Sequence, residues 1–445
     1  MIAAPCSGAG KSLVTLCLLS GFARRGVALS SVKIGPDYID TAFHREASRG
    51  VCVNLDGWAM RAGVLREMAA FASMDADLLL AEGVMGLFDG ARDGTGSSAD
   101  VAAATGWNII LVVDGRGTGR SIGALLEGFA NFRKDVCVSG VLLNRVRSPL
   151  HRKLLEQGCH DANVEVLGAI PEDAGLHLPH RHLGLVQAAE HPDLKALLRR
   201  GADIAEKHVD MERLLALAVP LKNAPSPKPH APFLPPAQRI AVAKDTAFAF
   251  TYPGWFAAWR DAGAEISFFS PLSDESPCEN CDFIFLPGGY PELHAAQIAS
   301  ASNFLGGLRS AQKRGVMIYG ECGGYIVLGK GLTDEHGERH AFAGLLPLET
   351  RFKGERTLGY RNARLLADGF LGAKGNSFRG HEFHFVEERT RTNGFPPPLF
   401  EIAPPDFAGE VVTIFDTGMR AGKVMGSFLH LIDCHAPSLT DAILP

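Results

Sequence analysis

No run of about 18 apolar residues occurs in the 445-residue chain, so nothing in it reads as a helix able to cross a bilayer. Met1-Ile2-Ala3-Ala4-Pro5 is too short an apolar run for a signal peptide, and it leads straight into a glycine loop. A basic surplus is also missing. The formal net charge of −5 makes no electrostatic case for nucleic acid or an anionic membrane as partner. The nine cysteines form no framework: their number is odd, and Cys278-x-x-Cys281 has no second pair at zinc spacing. Internal repeats are absent. A soluble, cytoplasmic protein is expected.

What is present reads as two α/β domains. A chain of this length exceeds what one core supports, which favours two domains of about 200 residues each. Seven prolines crowd Pro220–Pro236, where neither a helix nor a central strand can continue. The expected division is 1–219, a linker at 220–237, and 238–445. Before the linker, short apolar runs alternate with helical patterns: Ala28–Ile34, Leu78–Ala81, Ile109–Val113, Gly140–Leu143 and Val164–Ile170. Their continuous apolar character suits parallel strands covered on both faces. The pattern restarts at Ile240–Ala243, Phe283–Leu286, Val316–Tyr319 and Val424–Leu429, so each half reads as a three-layer α/β domain.

The first half opens Ile2-Ala-Ala-Pro-Cys-Ser-Gly-Ala-Gly-Lys-Ser12, a strand, a glycine loop and a helix starting near Lys11. Gly8 and Gly10 let backbone N–H groups turn inward around phosphates, Lys11 adds a point charge, and the Ser12 hydroxyl can ligate Mg²⁺. The phosphate-loop pattern fails at its first position, where Pro5 replaces glycine. Lys33, Asp37 and Asp40 follow the second strand, and Glu82 and Asp89 follow the third. Parallel strands converge at their carboxyl ends, so these groups are expected in one crevice with Lys11 and Ser12, able to hold Mg²⁺ against phosphates.

In the second half, Gly320-Glu-Cys-Gly-Gly-Tyr325 follows an apolar strand and leads into an apolar helix. A buried structural cysteine beside a tight turn would fit. So would a nucleophile elbow that lifts Cys322 over the N–H groups of a helix start, with His430 as base. His381, Glu382 and His384 in RGHEFHF read either as a metal cluster or as a sheet edge facing substrate.

Taken in order, SGAGKS, KIGPDYIDTAFH, EGVMGLFDG, VLLNRV, RHLGLV, LPGGYPE, GECGGY, TLGYR and RGHEFHF resemble the cobyrinic acid a,c-diamide synthases over about residues 2 to 434. These are ATP- and glutamine-dependent amidases of corrin biosynthesis. The related cobyric acid synthases share the two-domain plan without a GPDYID segment. The resemblance implies a dethiobiotin-synthetase-like phosphate-loop domain followed by a class I glutamine amidotransferase domain. It implies ATP phosphates and Mg²⁺ at Lys11 and Ser12, with Gly8, Gly10 and Lys33 beside them, and adenine at Asn144. Asp37, Asp40, Glu82 and Asp89 match acidic positions tied to Mg²⁺, ATP and the activated carboxylate, with Asp40 and Glu82 in the chemistry.

For the second half it implies Cys322 as nucleophile, His430 as base, and Gly289 and Gly323 as oxyanion hole. Tyr360, His381, Glu382 and His384 would meet the corrinoid. Most class I amidotransferases carry a glutamate two residues after the histidine; Ile432 stands there, and what orients the imidazole is left open. The co-substrates would be ATP and L-glutamine, with Mg²⁺, and a homodimer is left open. Three alternatives stand: hydrogenobyrinic acid as substrate, a nickel sirohydrochlorin, or a partitioning-type switch ATPase with an inactive amidotransferase-like domain.

Overall fold

Residues 1–178, 180–181, 184–389, 395–405 and 413–435 are described in the computed structural model of the chain. The chain divides into two units, Met1–Pro229 and His230–Pro445. His182 and Leu183 of the RHLGLV segment lie outside the described residues.

In the first unit, β1 (Ile2–Ala3), β2 (Leu29–Ile34), β3 (Cys52–Leu55), β4 (Leu78–Glu82), β5 (Ile109–Asp114), β6 (Val138–Val146) and β7 (Val166–Pro171) build one sheet. Its order is β3-β2-β4-β1-β5-β6-β7, and every pairing in it is parallel. Helical crossovers cover both faces, which is why β2 is buried at each of its positions although its sequence, LSSVKI, is half polar. Register then does what composition cannot. Glu82 pairs with Ile2 on one side and with Lys33 on the other, so the phosphate loop leaves β1 directly beside both polar groups.

The helix α1 (Lys11–Arg24) follows that loop with no side-chain cap, leaving its first N–H groups to a ligand. The next helix, α2 (Tyr38–Ser48), is capped by Asp37, whose carboxylate accepts the N–H groups of Ile39 and Asp40. Asp40 and His44, four residues apart, fall on its buried face.

Among its described residues, the second unit holds two sheets. The first orders Glu265–Phe269, Arg239–Ala243, Phe283–Leu286, Met317–Glu321, Val424–Ser427 and Met419–Ala421, parallel except for the last pair. The second sheet was not anticipated. It runs Arg339–Ala341, Gly331–Thr333, Glu349–Leu365, Ser377–Glu388 and Leu429–His435, with antiparallel pairings apart from one. The expected strand Val424–Leu429 is two strands: the chain leaves the first sheet at Ser427 and enters the second at Leu429. An apolar run carries no mark of such a transfer, because both sheets bury it. RGHEFHF is likewise no sheet edge. Ser377–Glu388 is paired on both sides, by Glu349–Leu365 and Leu429–His435.

The proline-rich stretch is held at each end by its own unit. Lys222 N–H donates to Thr105 O at 2.8 Å in the first. The Phe233 ring is buried among Trp255, Trp259, Tyr319 and Phe370 in the second. Burying such an aromatic side chain is worth about 2–3 kcal/mol.

Candidate functional site

At the phosphate loop, Gly10 has φ +98°, and a Cβ there would strike the Asn144 amide at 2.2 Å, so glycine is required on both counts. Asn144, near the end of β6, donates to Ala9 O at 2.9 Å. Its neighbour Arg145 donates to Gly8 O at 2.9 Å and pairs with Asp114 at 2.5 Å. The loop is therefore braced from β5 and β6. Lys11 is buried and donates to Met85 O at 2.6 Å. Burial lowers its pKa, with Lys33 adding to the effect and Glu82 opposing it.

Beneath the loop lies a buried polar network. Ser12 Oγ donates to Glu82 Oε1 at 2.7 Å and to Asp40 Oδ2 at 3.0 Å. Lys33 Nζ donates to the same two oxygens, at 2.6 Å each. His44 Nε2 takes the other Glu82 oxygen at 2.7 Å. Burial alone would neutralise Lys33, His44 and Glu82. For Glu82, Lys33 and His44 outweigh burial and hold the carboxyl well below the usual range. For Lys33, Asp40 and Glu82 outweigh it and keep the ammonium charged. For His44, Cys52 and Glu82 outweigh it and push the pKa up to about 10.

The remaining acidic candidates sit further out. Asp37 Oδ2 lies 4.0 Å from Lys33 Nζ while Oδ1 caps α2. Asp89 is exposed and accepts the Gly86 N–H at 2.9 Å. Hard oxygens from Ser12, Asp40 and Glu82 within hydrogen-bonding distance through one hydroxyl are the donor set Mg²⁺ takes.

In the second unit, Cys322 is a true elbow. Its φ of +47° and ψ of −106° are strained for a non-glycine residue, at a cost of about 1–3 kcal/mol. Its N–H donates to Ser427 O at 2.8 Å, tying the turn to the strand that precedes His430. A Cβ on Gly323 would lie 3.2 Å from the Gly289 nitrogen, so these two backbone donors converge, and both N–H groups reach the thiol sulfur. Gly289 has no room for a side chain: a Cβ there would meet Ala247 O at 2.1 Å.

The helix start does not depress the thiol pKa. Burial pushes Cys322 well up, Glu292 adds to it, and the N–H groups of Gly323 and Gly289 only partly offset this. Burial also drives His430 well down, helped by His381 and His384. The resting pair is a thiol and a neutral imidazole. Burial likewise pushes Glu321 up to about 8, against the pull of Tyr252, the Leu431 N–H and Tyr319.

The residues of RGHEFHF do not converge on a metal. Among the described residues, the one group of three with ligand atoms in reach of one another is Asp334, Glu338 and His340. His381 instead stacks on His430, ring centroids 4.8 Å apart and 7° from parallel. Glu382 pairs with Arg361 at 2.8 Å. His384 stacks on Phe428 at 4.1 Å and bonds Val386 O at 2.7 Å. Tyr360 lies opposite His381 in the register.

Sequence reasoning missed His44, Arg145, Tyr252 and Glu321. His44 carried a readable signal, four residues after Asp40 on one helix face. Glu321 stands next to Cys322 within GECGGY. Arg145 and Tyr252 carried no signal.

Residues 1–186 match the CobQ/CobB/MinD/ParA nucleotide binding domain, and residues 239–436 the CobB/CobQ-like glutamine amidotransferase domain. Similar over their whole length are proteins named hydrogenobyrinate a,c-diamide synthase. That of Brucella suis biovar 1 (strain 1330) is 49% identical over 440 residues, covering 97% of this chain and 98% of the relative. That of Mesorhizobium japonicum is 47% identical over 438 residues, and that of Rhizobium meliloti 46% over 441, each with the same coverage. Among the described residues, no helix is long and apolar enough to cross a membrane.

Proposed function

The chain belongs to the hydrogenobyrinate a,c-diamide synthase family of glutamine-dependent amidating ligases, and from that premise we propose how it works and on what. It amidates the a and c carboxylates of a corrinoid in cobalamin biosynthesis, at the expense of ATP and glutamine. The relatives' names favour the metal-free hydrogenobyrinic acid over cobyrinic acid, and over a nickel sirohydrochlorin. Supplies of ATP and glutamine place the work in the cytoplasm. The observation that supports the reading most is the meeting of Ser12, Lys33, Asp40 and Glu82 under the phosphate loop of a chain that also carries a cysteine elbow. A switch ATPase with an inactive second domain would need neither the strained Cys322 nor its paired N–H donors.

A carboxylate does not react with ammonia at neutral pH, because the group to be expelled would be oxide. Phosphorylation by ATP makes it an acyl phosphate, whose leaving group is phosphate. Lys11 and the N–H groups of the loop bind the ATP phosphates, and Asn144, on β6 and hydrogen-bonded to that loop, would meet the adenine. Ser12, Asp40 and Glu82, with Asp37 and Asp89 further out, would hold Mg²⁺, which supplies neutralisation of phosphate charge. Lys33, with His44, keeps Glu82 ionised and so able to bind a cation. His381, Glu382, His384 and Tyr360 remain proposals for the corrinoid surface.

Ammonia is made from glutamine. Cys322 Sγ–H gives its proton to His430 as sulfur bonds to the amide carbon. The resulting oxyanion faces the N–H groups of Gly289 and Gly323. The imidazolium protonates the amide nitrogen, the C–N bond breaks, and ammonia leaves a thioester. Water, deprotonated by His430, releases glutamate and returns the proton to sulfur. Incubation with ATP, Mg²⁺ and glutamine, and with each tetrapyrrole in turn, followed by mass spectrometry, tests the whole reading. Two amidations of hydrogenobyrinic acid are expected, and none with any of the macrocycles would sink it.

A further inference from the structure

Ile432 occupies the place where a triad carboxylate would stand, yet His430 is not left without an orienting group. Tyr252 Oη lies 3.0 Å from His430 Nδ1 and 2.8 Å from Glu321 Oε2. Glu321 and His430 are fully buried, and Tyr252 nearly so. Nδ1 and Oε2 are 4.0 Å apart, too far for a direct hydrogen bond and well spaced for one hydroxyl between them.

We propose that Tyr252 and Glu321 replace the missing triad carboxylate: His430 Nδ1–H donates to the tyrosine oxygen, whose own proton is donated to Glu321. The proposal rests on the glutaminase reading above.

Proton direction follows from the donors around Glu321. Its Oε2 faces the Tyr252 hydroxyl, and its Oε1 faces the Tyr319 hydroxyl at 3.2 Å and the Leu431 N–H at 3.4 Å. These three contacts favour the carboxylate over the acid, and because burial holds the Glu321 pKa at about 8, the relay forms as pH rises through that value. With the Tyr252 proton committed to Glu321, the tyrosine oxygen can only accept from Nδ1. The imidazole then carries its proton on Nδ1, and the lone pair for the Cys322 proton is on Nε2. When that proton arrives, the imidazolium is balanced by Glu321 through one hydroxyl.

The arrangement is held from outside. The Tyr252 ring stacks on Trp255 at 4.0 Å and 13°, and its carbonyl accepts the Trp255 N–H at 3.0 Å. Glu321 is the last residue of its strand, in register with Ser427 across the sheet. The carboxylate therefore comes from the nucleophile's own strand instead of from the histidine's.

Tyr252→Phe keeps the ring stack and removes only the hydroxyl; Glu321→Gln keeps the shape and removes the charge. Each should lower kcat for glutamine hydrolysis by about 10- to 100-fold, with KM for glutamine changed by less than about threefold. The double variant should be no worse than the weaker single within about threefold, because both act through one contact. In the unmodified enzyme, nitrogen NMR of labelled histidine, with a His430→Asn sample for assignment, should find His430 as the Nδ1–H tautomer. Tyr252→Phe should lose that signature at an unchanged melting temperature. An Nε2–H tautomer in the parent, or variants within about twofold of its kcat, overturns the positioning role. Cys322→Ala is run beside them: if it still releases ammonia, the glutaminase reading falls and this proposal with it. A silent Cys322→Ala beside a fully active Tyr252→Phe overturns the relay alone.

Discussion

Both candidate sites sit at the carboxyl ends of parallel strands, and they solve the same burial problem in opposite ways. Under the phosphate loop, Lys33, His44, Asp40 and Glu82 are buried together, and mutual pairing keeps Lys33, His44 and Glu82 charged. At the elbow, Cys322 and His430 are buried without an opposing charge in contact, so burial wins and both rest neutral. The difference follows the chemistry. Binding phosphates and a divalent cation needs fixed charge before the ligand arrives. A thiol-imidazole pair creates charge only as it reacts: backbone N–H groups can meet the oxyanion, and the proposed Tyr252–Glu321 relay the imidazolium.

The sharpest break in this comparison is a variant that silences one site and spares the other. Cys322→Ala should lower glutamine-dependent synthesis by about a thousandfold or more and leave ammonia-dependent synthesis near the parent rate, measured with each nitrogen source. Loss of both in a folded enzyme would mean Cys322 is not a dedicated glutaminase nucleophile.

On the charged side, Lys11→Ala and Glu82→Gln should each cost about 100-fold or more with either nitrogen source, since both act before ammonia is needed. Glu82→Gln carries a second penalty, because it leaves Lys33 and His44 facing a neutral amide. A normal ammonia-dependent rate in either variant would remove that residue from the ATP site.

Asp40→Asn should be milder, lowering kcat about tenfold to a hundredfold while ATP affinity, read by calorimetry, moves less than threefold or so. Unchanged turnover at saturating Mg²⁺ would contradict its place in the network.

The smallest expected effect is on stability. The folded-state pKa of His44, about 10, stands above the ordinary value of about 6.5. Its contribution is therefore complete below about pH 6.5 and is lost as pH rises through about 10. The melting-temperature gap between the parent and His44→Gln should narrow over that window. A gap that widens with pH would show that the ring is buried neutral.

Much of this was open to sequence reasoning, for a physical reason. Gly10 is demanded by a local backbone conformation, Asp37 by local hydrogen bonding, and the buried parallel strands announce themselves as continuous apolar runs. Local rules failed where two distant segments share a sheet. RGHEFHF looked like an edge, because alternation of polar and aromatic residues says nothing about how many neighbours a strand has. Its histidines are buried between two partners, and one of them stacks on His430.

By itself, the chain's sequence determined two α/β units, a phosphate loop after the first strand, the acidic groups at strand ends, and a cysteine at an elbow. Each is set within a few residues, by backbone preference or by apolar period. Only the tertiary structure decided charge states, because ionisation depends on which groups are buried together: Lys33 and Glu82 are 49 positions apart, and they stay charged because one register pairs them. It alone decided, too, that His430 belongs to a different sheet from Ser427. And it brought Tyr252 to a histidine 178 residues away, a placement that no local pattern encodes because packing across the core, and not the neighbouring sequence, holds it there.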